Sequence, residues 1–189
     1  MNAALETIAT RYSCRGFTND PVSRADLEII TTAGVQAPSS RGNAPWYIAA
    51  ITNREIIDDI RDSAWTLIQR HAGDSARNIQ ALGGDLFYNA QALIIVATRP
   101  TYDLTSEDFD AGLLTENICL AATSLGLGSC ICGFSTQAFR DGTTNDRERF
   151  SKLLGFPWGY EMSIGILIGY PAAAGQQHPT DMSTIRFFE

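Results

Sequence analysis

One helix constrains this chain more than any other feature. Over Asp108–Leu125, the residues Leu113, Leu114, Asn117, Ile118, Ala121 and Leu125 make the helix apolar around much of its surface rather than along one stripe. A helix of that kind must be covered on several sides, so it takes a central place in the fold. Ala111, Gly112, Ala121 and Ala122 are small enough to let neighbouring elements approach closely. Gly126 is a natural C-terminal cap, because glycine adopts the left-handed conformation that commonly ends a helix.

Helices and strands alternate around it. Residues 2–12 read as a helix with Leu5, Ile8 and Tyr12 on one face. Ser23 and Asp26 resemble a capping box that opens a second helix through Leu27, Ile30 and Gly34. That helix ends before Pro38, because the residue preceding proline avoids the helical region. Trp46–Thr52 reads as a strand, and Asn53 then caps a helix running to about His71. Gly73–Asn89 is less regular, and Ala92–Thr98 is a β-rich run of the kind a buried strand shows. Ser129–Phe134 is a short strand or turn, Asn145 with Glu148 is a second capping-box pattern, and Glu161–Tyr170 is the last clear strand. The tail Pro171–Glu189 is hard to pack on its own, and such tails often lie over a partner subunit. The class is therefore mixed α/β or α+β. A dinucleotide-binding Rossmann sheet is disfavoured, because Gly126-Leu127-Gly128 follows a helix, whereas the dinucleotide loop follows a strand and opens a helix.

Composition narrows the function classes. A chain of 189 residues suits one domain, here residues 1–189, able to bury about 70% of its unfolded surface. The net charge of -7, the single lysine Lys152 and the scattered arginines argue against nucleic acid as a partner. No apolar run approaches the roughly 20 residues of a membrane span, and the N-terminus lacks the continuous apolar core of a secretory signal. A cytoplasmic location is expected, with no membrane partner. Cys14, Cys119, Cys130 and Cys132 are too few for a disulfide scaffold and have no C-x-x-C spacing. Cys130 and Cys132 would share one face of a strand, which admits a redox pair, although buried reduced thiols are the favoured reading. His71 and His178 have no partner cluster, so no metal site is expected.

Three segments carry possible chemistry. In Arg11-Tyr12-Ser13-Cys14-Arg15, two guanidiniums flank a hydroxyl, and arginine offers a planar fork of donors that suits phosphate. The same arginines would also simply favour the negative end of the helix dipole. In Ala37–Trp46, two prolines and a glycine hold a loop whose Ser39, Ser40 and Asn43 offer donors and acceptors for a polar heterocycle. In Gly126–Phe134, the glycines let backbone come close to a flat ligand, or else form a tight turn.

Taken together and in this order, the segments resemble the nitroreductase family. The matching blocks are Arg11-x-Ser13-x-Arg15, then Ala37-Pro38-Ser39 through Pro45-Trp46, then Asp110-Ala111-Gly112-Leu113 through Asn117 to Cys130, and last Gly159-Tyr160-Glu161 through Gly169-Tyr170-Pro171. The resemblance covers nearly the whole chain. It implies an α+β fold with a central, mostly antiparallel sheet flanked by helices, assembled as an intertwined homodimer with residues 171–189 packing on the partner. It also implies FMN at the dimer interface. Carried over by position, Arg11, Tyr12, Ser13 and Arg15 would hold the phosphate and ribityl end. Pro38, Ser39 and Ser40 would line the flavin from the other subunit. Ile131, Cys132 and Gly133 would sit beside the ring system, with the Cys132 backbone N–H near the reducible nitrogen, and Arg186 would close on the phosphate.

The chain departs from the family pattern in one loop. Where the family has Asn-x-Gln before Pro-Trp, this sequence has Gly42-Asn43-Ala44, which offsets the Asn by one position and removes the Gln. Asn43 is the amide left to hydrogen-bond the flavin. Before the second strand the family has Ala-Pro and this chain has Ala90-Gln91. The implied activity passes reducing equivalents from NADH or NADPH to a small acceptor such as a nitroaromatic or quinone, in a ping-pong cycle. The cofactor carries that chemistry and the protein orients it, so no catalytic side chain is expected. Trp65, Phe87 or Phe109 would cover the acceptor, or serve as core. The competing expectation is an FMN-binding carrier or redox-regulated module without efficient NAD(P)H turnover.

Overall fold

The computed structural model describes residues 2–71, 85–99, 107–140 and 145–189. Four strands form one sheet: β1 (Trp46–Ile51), β2 (Ala92–Thr98), β3 (Gly128–Cys132) and β4 (Glu161–Gly169). They lie in the order β1-β2-β4-β3, and every neighbouring pair is antiparallel. The helices are α1 (Ala3–Thr10), α2 (Arg24–Val35), α3 (Arg54–His71), α4 (Glu107–Ser124), the short α5 (Gln137–Arg140) and α6 (Asp146–Leu153).

Strand β2 shows why the sheet is central. All seven of its residues are buried, so both faces are covered. Leu93 and Ile95 point into a cluster with Ile57, Ile60, Phe139 and Phe150, whereas Ala92, Ile94 and Val96 point into one with Leu27, Ile30, Leu114 and Ile118. The two-residue period of the strand thus splits its side chains between helices α3, α5 and α6 on one face and α2 and α4 on the other. Each fully buried Ile or Leu stabilises the fold by about 1.5–3 kcal/mol. A Cβ on Gly34 would meet Ile118 Cγ1 at 2.8 Å, so glycine lets α2 lie close against the expected central helix α4.

The local signals act largely as the sequence indicates. The Ser23 hydroxyl accepts from the Asp26 N–H at 3.0 Å, and the Asn53 side chain accepts from the Ile56 N–H at 3.2 Å. Helix α4 ends in a Schellman motif: Leu127 N–H donates to Ala122 O at 2.9 Å and Gly126 N–H to Thr123 O at 3.0 Å, with Gly126 at φ 76. Asn145 does precede α6, but its side chain makes no capping hydrogen bond, so the second capping box does not form. The first helix is also shorter than its apolar spacing suggests. It stops at Thr10, Arg11 is extended, and Leu5 and Ile8 are exposed. The cause is tertiary: Ser13 leaves helical geometry to make a parallel bridge with Ser129 at the free edge of β3. Of the irregular stretch Gly73–Asn89, residues 73–84 lie outside the described residues, and Leu86–Asn89 form a turn.

Residues 171–175 run back across the N-terminal segment. Phe17 bridges Pro171, and Ala172 N–H donates to Gly16 O at 2.9 Å. Beyond them the tail is exposed, including Ile185, Phe187 and Phe188, the last at 92%. Among the described residues, no helix is long and apolar enough to cross a membrane.

Candidate cofactor site

The first and third sequence blocks meet at one edge of the sheet. Cys14 N–H donates to Ser129 O at 2.9 Å, which ties the Arg11–Arg15 segment to β3. The contact is close because position 128 is glycine; a Cβ there would stand 2.8 Å from Cys14 Cβ. Tyr12, Ser13, Cys14, Arg15 and Gly16 line one wall of a cleft of about 230 Å³, and residues 172–175 line the other. The lining carries the Ser13 hydroxyl and the exposed Arg15 guanidinium and no carboxylate. Arg11 flanks it and makes an ion pair of 3.4 Å with half-exposed Glu116 of α4. The Tyr12 hydroxyl donates to Ala173 O at 3.3 Å, so this ring also fastens the start of the tail.

At the end of β3, Ile131 is 47% exposed between buried Cys130 and Cys132. A Cβ on Gly133 would meet nothing within 4 Å, so this backbone borders open space. The Ser135 hydroxyl donates to Cys132 O at 2.6 Å and holds the turn that follows. An apolar, glycine-flanked strand end beside a cleft of guanidinium and hydroxyl donors suits a flat ring system carrying a phosphate.

The second block lies apart from this edge. Its Ser40 N–H donates to the buried Asp110 carboxylate at 3.0 Å, near the start of α4, and Ala44 N–H donates to the Ser39 hydroxyl at 2.8 Å. Pro38 and Asn43 are exposed, and neither they nor Ser39 and Ser40 line the cleft. Arg186 sits in the exposed tail and is not part of the cleft lining either. The structure of one chain therefore joins Arg11–Arg15 to β3 at Ser129, on the strand that runs on to Ile131–Gly133, and leaves 38–43 and Arg186 out of the cleft lining. A larger cleft, about 580 Å³, lies between α2 and β1 and contains none of these residues.

The four cysteines are buried free thiols. Cys130 and Cys132 do share a face, and that face is core. Desolvation raises all four thiols above their ordinary value, and Cys119 and Cys132 are pushed up to about 11. The thiolate is the reactive form, so at neutral pH these groups are protected both sterically and by protonation. Native protein at pH 7.5 is expected to react negligibly with Ellman's reagent over minutes, with four thiols released on denaturation. Rapid native labelling of two would disprove the burial and restore the redox pair. Among the described residues, no group of three or more His, Cys, Asp or Glu could hold a metal ion. Of the candidate aromatic covers, Phe87 is fully buried core, Trp65 packs against that core, and Phe109 is exposed.

Three residues of this region escaped the sequence reading. Glu116 faces Arg11, and its spacing in α4 carried no signal beyond a polar helix position. Asp110 anchors the 38–43 loop, a role only hinted at by the Asp-Ala-Gly-Leu block. Tyr88 packs against the cluster that contains Cys14, Cys130 and Cys132, and the sole local clue is Asp85, which caps the turn before it.

The chain and its fold have clear relatives. The nitroreductase family model matches residues 8–170. A protein of Archaeoglobus fulgidus, provisionally described as an NADH dehydrogenase/NAD(P)H nitroreductase, is 30% identical over 90% of this chain and 87% of its own length. An NADPH-flavin oxidoreductase of Vibrio harveyi is 28% identical over 90% of this chain and 67% of its own. A nitroreductase of Desulfitobacterium hafniense, crystallised with bound FMN, superposes with a TM-score of 0.93 at 35% identity, covering all of both chains. One from Bacteroides fragilis, also with bound FMN, has a TM-score of 0.85 at 25% identity, again with full coverage. The α+β scaffold, one antiparallel sheet between layers of helices, is the fold these crystallised nitroreductases share. The chain belongs to the nitroreductase family.

Proposed function

We propose that this protein binds FMN and transfers reducing equivalents from NAD(P)H to a small acceptor such as a nitroaromatic or quinone. The observation that carries the reading is the join of Arg11–Arg15 to the glycine-flanked end of β3, which places anion donors beside an open apolar strand end. Bound FMN would supply two-electron chemistry that side chains lack. Arg11, Ser13 and Arg15 would hold its anionic end, with Tyr12 fastening the wall of the cleft. Ile131, Cys132 and Gly133 would border the ring system. Because the buried thiols stay protonated, they do not compete as redox groups.

The second subunit completes this site. Pro38 and Asn43 are exposed, Ser39 and Ser40 are half-buried, and none of the four lines the cleft of its own chain, the arrangement expected of residues that serve a partner's cofactor. The exposed Leu5 and Ile8 of α1, together with Ile185, Phe187 and Phe188 of the tail, are apolar surface that a homodimer would cover. Arg186 would reach the phosphate from that tail. The whole chain acts as one domain in this reading, and it works in the cytoplasm.

The test is the anaerobic visible spectrum of the purified protein, before and after NADH and then NADPH, with light scattering for mass. A flavin spectrum that bleaches, on a dimer, supports the proposal. Ping-pong turnover predicts parallel double-reciprocal lines when acceptor and nicotinamide are varied; intersecting lines disprove that cycle. A flavin that persists under both nicotinamides favours a carrier role, which the missing Gln before Pro45 gives independent reason to consider.

A further inference from the structure

The two walls of the cleft beside Arg15 are held in different ways. The wall formed by Tyr12–Gly16 is bound to the sheet and the core. Ser13 bridges Ser129, Cys14 N–H donates to Ser129 O, and Tyr12 packs against the hydrophobic cluster that contains Cys14 and Cys130. The wall formed by residues 172–175 has no such support. Ala172, Ala173, Ala174 and Gly175 are all exposed, and none belongs to either hydrophobic cluster. Its near end is fixed by the Phe17–Pro171 bridge and by Ala172 N–H donating to Gly16 O. Exposed alanine and glycine bring almost no burial energy to set against backbone entropy, so the rest of this wall must be held from outside.

Tyr12 holds it. The hydroxyl donates to Ala173 O at 3.3 Å, and the ring lies against the backbone at Gly175. A Cβ at position 175 would overlap the ring carbons Cδ2 and Cε2 and stand 2.7 Å from Cγ. Gly175 is not among the glycines with positive φ, so its backbone suits alanine. Clearance for the ring is therefore what requires glycine there. The Tyr12 ring thus rests on the core at one side and on the tail at the other, and it carries the position of the first wall over to the second.

We propose that Gly175 is a positioning residue: the space it leaves admits the Tyr12 ring, and that contact holds residues 172–175 as the second wall of the cleft, against the anionic end of the cofactor. This rests on the FMN reading above. A wall already in place costs an arriving ligand no ordering, whereas a loosened wall must be ordered out of the binding energy.

The test uses the full-length chain. FMN affinity is read by quenching of flavin fluorescence, folding by thermal unfolding of the flavin-free proteins, and the wall itself by hydrogen exchange at the 172–175 amides with and without FMN. Gly175→Ala is expected to weaken FMN binding about tenfold at an unchanged melting temperature, because the displaced wall carries no core residue. In the wild-type protein, FMN is expected to slow exchange at 172–175. In a Tyr12→Ala background, where no ring is left to clash, Gly175→Ala is expected to have no further effect. An equal loss in both backgrounds means that the ring does not carry the effect and overturns the role. Affinity unchanged by Gly175→Ala, or exchange at 172–175 that FMN leaves unaltered, also overturns it in a protein that binds FMN, and the cofactor reading then stands. Weaker binding that comes with a lowered melting temperature marks a general structural defect and overturns the role too. A wild-type protein that takes up no FMN overturns the cofactor reading and this role together.

Discussion

Replacing Arg15 with alanine is expected to weaken FMN retention by roughly 10- to 100-fold while the flavin-free protein unfolds at an unchanged temperature. The size follows from the loss of charge-assisted hydrogen bonds, about 1.5–3 kcal/mol each, with every 1.4 kcal/mol worth about tenfold. The unchanged stability follows from location. The Arg15 side chain lies at the surface of the cleft rather than in either hydrophobic cluster, and exposed substitutions of this kind usually move stability by about 0.5 kcal/mol or less. Arg15→Lys keeps the charge and loses the planar fork, so it is expected to fall between the two. The affinities come from titration of flavin fluorescence and the stabilities from thermal melts. Equal affinity in all three proteins would mean that the anionic end of the cofactor is held elsewhere.

Gly128→Ala is expected to damage stability and the site together. The added methyl would lie 2.8 Å from Cys14 Cβ, 2.9 Å from Cys14 Sγ and 3.2 Å from Pro171 Cγ. A Cβ is not the mobile end of a side chain, so either β3 or the Tyr12–Arg15 segment must move. Overpacking of this kind costs about 1–3 kcal/mol. The segment that moves is tied to β3 by the Ser13–Ser129 bridge, so FMN affinity is expected to fall with the melting temperature. Gly112→Ala is the control, because position 112 is exposed on α4, does not line the cleft, and its methyl would meet no described atom within 4 Å. A Gly128→Ala protein with wild-type stability and affinity would show that the bridge does not shape the site.

These effects separate what local signals encode from what packing decides. The boundaries of β2, the caps at Ser23 and Asn53 and the stop at Gly126 were all legible in sequence, because each depends on neighbours a few residues away. The place of α4 was legible only in part: Ala111, Leu114, Ile118 and Ala122 are buried against α2 and the sheet, whereas Leu113 and Leu125, read as apolar positions needing cover, are exposed on this chain. The family blocks marked the arginines and the β3 turn as belonging to one site. The length of α1 was not legible. Its apolar spacing continues to Tyr12, but the chain leaves the helix after Thr10 because the edge of β3 offers Ser13 and Cys14 strand pairing. The left-handed turn at Tyr88 was invisible for a similar reason: nothing within the sequence Asp85–Asn89 announces that Phe17, 71 positions before Tyr88, will bond to it. By itself the sequence determined the elements, their caps and the residue types a phosphate-bearing flavin needs, because periodicity and short motifs act over a few residues. Only the tertiary structure decided which of those residues meet, because meeting depends on the edge of β3, on the clearance left by Gly128 and on contacts between segments remote along the chain.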